Sequence, residues 1–332
     1  MTPPKEPPLP PVPRAAPSLR WFRRRLNSAL TEKTIAHSLH LRRPDLLFAS
    51  HEHFTQNTKP SGNPLIRLFY QGLPLTDTQA QKTLTGQEWR ELSRAGLITR
   101  ENGRFRSPFI IRPIKGFLIL SDRETRRDSV YPVQYDSALF AELQFRRTAS
   151  TLLDLCTGTG VHVLLSSIHS GKAWGGDINP RSVRLASWNA RFNGVRNASF
   201  RRSDLFRSFG DRKYDVLLAN TPFRPTLRSR RTLWSDGGTT GSEIGRRILD
   251  GLNDHLTPNG IFQILTSRSI RPFLDSEWEH RHEWDVLCLP IPSGLILLNG
   301  RRGIGRRYVL PGYNQLTSSR MNDRINSFFR KI

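Results

Sequence analysis

From residue 150 onward, short apolar runs alternate with helical stretches, and four of the runs carry a carboxylate or an amide at or near their ends. Residues 151–155 lead into a glycine turn and then an apolar helix over 161–170. Residues 173–176 lead to Asp177 and a helix over 181–193. Residues 199–201 precede Asp204, residues 215–219 end on Asn220, and residues 260–266 form a further strand candidate. Strands separated by helices cannot be joined by tight hairpins, so their pairing is parallel and the domain is α/β. In such sheets ligands sit beyond the carboxyl ends of the strands, which is where these polar side chains fall.

The 332 residues suffice for two domains at roughly 100–200 residues each. Hydrophobic residues make up 36%, enough for a sizeable core, and no apolar run approaches the roughly 20 residues of a membrane span. Eight prolines among residues 1–17 imply an extended, disordered tail. A basic helix over 18–30 follows. An organelle transit sequence is also Arg-rich, but Glu6 and the prolines argue against one. Residues 31–125 read as a small mixed α+β unit. A short helix over 64–72 ends at Gly72, and residues 85–96 set Trp89 and Leu92 one helical turn apart. Glu101-Asn102-Gly103 marks a turn, then apolar residues alternate from Phe105 to Ile110, and 116–120 is a buried-type run. This order is winged-helix-like. Arg90 and Arg94 lie four apart, but Glu88 and Glu91 sit among them, which favours a structural or substrate-positioning cap over a nucleic-acid reader. The expected division is a tail (1–17), an accessory, substrate-docking domain (18–128) and the α/β domain (129–332).

The 51 Lys and Arg against 28 Asp and Glu give a net charge of +23, which fits nucleic acid binding, with RNA or the ribosome as partner. Of those cations 43 are Arg, a bias that genomic base composition also produces. The charge is even, +11 over residues 1–150 and +12 over 151–332, so no single tail carries it. Arg224, Arg228, Arg230 and Arg231 form a basic loop suited to phosphates. Arg301, Arg302, Arg306 and Arg307 read as a solvated edge. Two cysteines, Cys156 and Cys288, cannot build a disulfide framework, and a reducing, cytoplasmic compartment fits them best. The pairs His51/His53 and His280/His282 lack the companions a metal site needs, so no metal is expected.

The first glycine turn reads Asp154-Leu155-Cys156-Thr157-Gly158-Thr159-Gly160. Glycines 158 and 160 let the backbone turn sharply and approach a ligand. Val163 stands where a dinucleotide fingerprint has its third glycine, and the Gly-Lys-Ser/Thr of a P-loop is absent. Asp177 is placed to accept both hydroxyls of a ribose. Asp204 is suited to an adenine amine, with Leu205 or Phe206 packing on the ring. Asn220-Thr221-Pro222-Phe223 closes the fourth strand.

Together these motifs resemble the class I S-adenosylmethionine (SAM) methyltransferases. More narrowly they are similar to the small-domain branch with an Asn-Pro-Pro-(Phe/Tyr) motif, over roughly residues 130–270. That branch contains protein-glutamine methyltransferases of release factors and ribosomal proteins, and exocyclic-amine methyltransferases of ribosomal and transfer RNA. Asp177-Ile178-Asn179-Pro180, the stretch 189–194, Asp236-Gly237-Gly238 with Gly241, and the turn 256–260 extend the likeness. The resemblance implies a Rossmann-like, seven-stranded, mostly parallel sheet with a reversed last hairpin. It also implies SAM as cofactor and a protein or RNA acceptor of the translation machinery. By the same resemblance Asp154, Gly158 and Gly160 would line the methionine end, Asp177 the ribose, and Asp204 and Leu205 the adenine. Cys156, Ile178 and Asn220 would also face the cofactor. Gln134, Asp136 and Ser137 fall where the branch places a covering loop, although Asp136 and Ser137 serve equally as a helix start.

A methyl sulfonium needs no activation, but the acceptor nitrogen must be presented in line at about 3 Å. An amide or aryl-amine nitrogen is a poor nucleophile, so two acceptors on its N–H groups orient it and favour the developing charge. Asn220 supplies a side-chain carbonyl and Thr221 a backbone carbonyl. Phe223 offers a stacking face and Pro222 restrains the loop. These four are the catalytic candidates, with Thr221 in place of the motif's first proline making the loop less rigid. The expected activity is SAM-dependent N-methylation of a planar nitrogen, with glutamine amide and nucleobase amine both open. Three alternatives stand beside it. One is a catalytically inactive SAM-fold module that binds RNA or the ribosome, another a methyltransferase for a small biosynthetic molecule, and the third a dinucleotide-dependent oxidoreductase, against which Val163 counts.

Overall fold

A computed structural model describes residues 11–13, 19–41, 48, 58–226, 232–278, 284–310 and 318–330. Most of the proline-rich tail, Arg228, Arg230, Arg231, His51, His53, His280 and His282 lie outside the described residues.

The N-terminal unit contains α1 (Arg20–Ala29), α2 (Glu32–Ser38), a π-helical turn (Ile66–Tyr70), α3 (Asp77–Gln81) and α4 (Gly86–Arg94), then β1 (Thr99–Glu101) and β2 (Arg104–Arg106). Helices α2, α3 and α4 each start at a threonine in a reciprocal capping box, from Thr31, Thr76 and Thr85. These boxes satisfy amide groups that a helix start otherwise leaves without partners. Asn102 and Gly103 both take positive φ (49° and 70°), the two-residue turn that matches the twist of a tight hairpin. A second hairpin, β3 (Phe109–Ile114) and β4 (Phe117–Asp122), completes the unit. The helix expected over 64–72 is instead the wider π turn, closed by Gly72 at φ 69°.

The α/β domain runs α5 (Tyr135–Leu143), β5 (Ala149–Leu155), α6 (Val161–Ser166), β6 (Ser170–Asp177), α7 (Pro180–Asn193), β7 (Ala198–Arg202) and β8 (Tyr214–Asn220). It continues through α8 (Glu243–Asp250), β9 (Leu256–Ser267), β10 (Trp284–Ile291), β11 (Leu295–Arg302), β12 (Arg307–Val309) and α9 (Ser318–Phe329). The sheet order is β12-β10-β11-β9-β8-β5-β6-β7. Strands β5 to β9 pair in parallel, and β11 runs antiparallel to both neighbours, which makes the reversed hairpin. Eight strands replace the expected seven because the three-residue β12 adds in parallel to Val286–Cys288. Strand β9 begins earlier than expected. Leu256 already pairs with Tyr214, so the turn-like 256–260 stretch is drawn into the sheet beside a register shift.

The arginines near the C-terminal hairpin are not simply a solvated edge. Arg301 pairs with Asp285 at 3.4 Å, Arg302 lies 4.4 Å from the Trp284 ring centroid, and Arg307 pairs with Asp275. Among the described residues no helix is long and apolar enough to cross a membrane.

Helix α7 belongs to both units. Leu185 and Trp188 pack into the same apolar cluster as Phe22, Phe69 and Leu92. Asn189 accepts from Leu120 N at 2.9 Å and donates to Leu120 O at 3.0 Å. Asn193 does the same to Leu118, at 3.0 and 2.9 Å. Each amide thus acts as a strand partner for β4, which satisfies backbone groups that burial would otherwise leave bare. Arg181, at the start of α7, forms a buried two-pronged ion pair with Asp122, whose carboxylate also accepts from Val130 N at 2.7 Å.

Removing one partner of such a pair strands a charge in the interior. Arg181→Met is therefore expected to lower unfolding free energy by about 3–5 kcal/mol in urea titration, with the double change D122N/R181M costing less. A loss below about 1 kcal/mol would show that water already screens the pair.

Candidate active site

The carboxyl ends of β5, β6, β7 and β8 open into one cleft of about 300 Å³, covered by residues 130–137 on one side and by 221–224 and 233–236 on the other. At its floor the chain leaves β5 through Cys156 (φ 57°) and Gly158 (φ 52°). A left-handed cysteine is uncommon, and such strain clusters at ligand sites. Nothing lies within 4 Å of where a Cβ on Gly158 would be, so its backbone faces open space. Gly160 behaves differently. A Cβ there would come 2.9 Å from Ala186, so this glycine permits close packing behind the wall.

Asp154 also lies behind the wall. It is fully buried, takes the Thr157 hydroxyl at 2.6 Å on Oδ2, and has no hydrogen-bond partner on Oδ1 among the described residues. Burial pushes its pKa up to about 8. The structure therefore gives it the turn, not the cleft, as its neighbour. Asp177 does reach the cleft from the tip of β6. It accepts from Gly158 N at 2.8 Å and Asn179 N at 2.9 Å, and burial raises its pKa to about 6 in spite of those bonds. Ile178 beside it is 49% exposed on the cleft rim.

At the tip of β7, Asp204 and the left-handed Leu205 (φ 47°) face the cleft. Asp204 Oδ1 accepts from Arg247 of α8 at 2.9 Å. Phe206 turns away and stacks on His255, with centroids 4.0 Å apart. At the tip of β8, Asn220 donates both amide hydrogens, to Asp136 Oδ2 and Ser137 Oγ, each at 3.1 Å. Its Oδ1 then remains as the acceptor on the cleft wall. Asp136 and Ser137 sit in the first turn of α5, one and two positions inside it, whereas Gln134 is the capping position and accepts from the Tyr131 hydroxyl. Thr221 is not loose. Its N and Oγ1 both donate to Leu265 O, at 3.0 and 3.2 Å, and Oγ1 also meets Thr266 Oγ1 at 3.0 Å. Pro222 and Phe223 follow along the wall. Gly241 holds this loop closely, since a Cβ there would collide with Phe223 O.

Several wall residues were not legible as site residues. Tyr131 and Trp234 stack face to face across the mouth, 4.0 Å between centroids, with the Arg224 guanidinium 6.0 Å from the Trp234 ring. His162 is buried in the wall, and neither ring nitrogen has a partner among the described residues. Burial lowers its pKa to about 3, so it stays neutral. In sequence His162 is one polar residue in an apolar helix, and the Tyr131–Trp234 pair joins two loops far apart in the chain.

A half-buried carboxylate at one tip, an apolar left-handed residue at the next and an exposed glycine backbone between them fit a ribonucleoside with a charged tail. Residues 133–275 match the family described as Methyltransferase small domain. A ribosomal protein uL3 glutamine methyltransferase of Bradyrhizobium diazoefficiens is 34% identical over 121 residues, covering 33% of this chain and 38% of its own. A Methanocaldococcus jannaschii protein, by name a candidate N5-glutamine methyltransferase, is 35% identical over 144 residues, covering 42% of this chain and 72% of its own. A release factor glutamine methyltransferase of Geobacter sulfurreducens is 28% identical over 148 residues, covering 40% and 51%. The chain spans only 38% and 51% of the first and third of these relatives.

Two pH responses follow from the carboxylates. SAM affinity, measured by calorimetry, is expected to fall as pH drops through about 6, where Asp177 takes up a proton and loses acceptor capacity. Asp177→Ala would bind weakly and without that step. Asp154 has a folded pKa near 8 against an ordinary 3.8, so its contribution to stability is full below the ordinary value and lost as pH rises through about 8. Asp154→Asn is expected to flatten the decline of Tm across that window; an unchanged decline would assign it to other groups.

Proposed function

This chain belongs to the methyltransferase small domain family, and from that premise we propose that it transfers a methyl group from SAM to the side-chain amide nitrogen of a glutamine in a protein of the translation machinery. The observation that carries the reading is the state of Asn220. With its amide hydrogens held by Asp136 and Ser137, its one outward group is a carbonyl oxygen. A pocket that offers acceptors selects a substrate that brings N–H donors, and a primary amide brings two.

When bound, SAM supplies an electrophilic methyl on a positively charged sulfur. Asp177 would hold the ribose hydroxyls, while Leu205 and the rim at Ile178 would flank the base. The backbone at Cys156 to Gly158 would lie against the tail. On the acceptor side Asn220 Oδ1 and the Thr221 carbonyl would take the two amide hydrogens. That orients the nitrogen lone pair and stabilises the positive charge that grows on it. Pro222 and the anchoring of Thr221 to β9 keep this pair of acceptors fixed, so the threonine's hydroxyl substitutes for the rigidity of a second proline. Phe223 provides a flat apolar face for the planar amide. The named activities of the relatives, on ribosomal protein uL3 and on release factors, support a glutamine acceptor over a nucleobase. The same reading puts the work in the cytoplasm.

Tritiated-methyl transfer to purified ribosomes, release factors and transfer RNA tests this. Label is expected in protein, on a glutamine side chain, and label in RNA alone would sink the proposal. Asn220→Ala is expected to lower transfer by about 100-fold or more while SAM still binds.

A further inference from the structure

Residues 75–106 build a helix-turn-helix with a wing. Leu75 and Phe105 exchange backbone hydrogen bonds at 2.9 Å in both directions, so the chain before α3 pairs with β2 and makes a third strand beside β1 and β2. Helix α4 packs inward through Trp89 and Leu92, and Trp89 stacks on Phe105 with centroids 4.8 Å apart. Gln87, Arg90 and Arg94 are left on its solvent side.

The two acids that flank those arginines in sequence do not face the same way. Glu88 is occupied by the α4 cap, accepting from Thr85 N at 2.7 Å, and lies 3.5 Å from Arg25 of α1. Glu91 accepts from the Trp21 indole at 2.7 Å on Oε2, and its Oε1 accepts from Gln87 at 3.3 Å. On the wing, Arg100 is matched by Asp77 and Arg106 by Glu101. Among the described residues Arg90, Arg94 and Arg104 have no acidic partner. The local balance that reads as neutral along the chain is therefore cationic on this face.

We propose that the α4 face and the wing dock a double-helical segment of RNA, with Arg90, Arg94 and Arg104 on its phosphates. The acceptor protein is thereby presented as part of a ribonucleoprotein. The choice of RNA rests on the preceding reading, in which the acceptor belongs to the translation machinery. A duplex fits better than a single strand because the aromatic rings of this unit, Trp89 and Phe105, are stacked on each other and offer no platform for bases. Guanidiniums and one carboxamide suit a helical backbone read by shape.

The test is fluorescence anisotropy of the full chain with an RNA hairpin of about 16 base pairs across a salt series. The triple variant R90Q/R94Q/R104Q is expected to bind at least tenfold more weakly, and its salt slope to be shallower by about one for each phosphate it leaves without a cation. The corresponding lysine triple variant is expected to recover most of the affinity, which an unfolded unit would not allow. Unchanged affinity in the glutamine variant overturns the proposal. So does equal or tighter binding of the DNA duplex of the same sequence. The two readings fail separately: Asn220→Ala is expected to bind the hairpin as the parent does, and the glutamine triple variant to bind SAM as the parent does.

Discussion

The cleft depends on an interaction made directly behind its wall, where two asparagines of α7 take the place of a neighbouring strand for β4 and Asn189 also donates to Thr159 O at 2.9 Å. Asn189 and Asn193 satisfy both backbone groups of Leu120 and Leu118, and at the start of the same helix Arg181 closes on Asp122. Those bonds clamp the N-terminal hairpin to a helix that starts just past Asp177, two residues after Ile178. Asp122 also fixes Val130, so the covering segment enters the cleft from an anchored point. Coupling through a rigid helix with neutral, directional hydrogen bonds leaves little room for the two units to slide.

Of the acids near the strand tips, Asp204 is paired with Arg247, Asp154 is buried behind the wall, and Asp177 has no ion-pair partner among the described residues. Asp154 and Asp177 are both raised, chiefly by burial, and the surplus of +23 does not reach them. Arg224 and Arg247 line the cleft, while other arginines pack against aromatic rings or form ion pairs at the C-terminal hairpin. Asp177, with a pKa of about 6, is still mainly ionised at neutral pH and suits a positively charged sulfur.

The parallel sheet and the positions of Asp177 and Asn220 were legible because each closes a strand-forming run, and Asp204 and Leu205 because they follow the next strand candidate in the same alternation of strand and helix. Local pattern also found α4 and its turn. It failed where a side chain's role depends on what lies across the fold. Asp154 sits in a strand buried on both faces, so nothing in its neighbours tells whether it faces ligand or core. Glu88 and Glu91 cancel Arg90 and Arg94 in a linear count, and only the packing of α1 against α4 shows that they are engaged by Arg25 and Trp21 of α1. The Tyr131–Trp234 stack joins two loops, and loops carry no periodicity from which to infer a partner. The number of strands was missed by one because β12 is too short and too polar to stand out.

Cys156 occupies the cleft floor and Cys288 the middle of β10, and both are held as thiols. Burial, reinforced by the nearby Asp177 and Asp154, raises Cys156 well above its usual range, and burial takes Cys288 to about 11. Oxidants and alkylating agents attack the thiolate, so the raised pKa of Cys156 disfavours such attack on the one sulfur that lines the cleft.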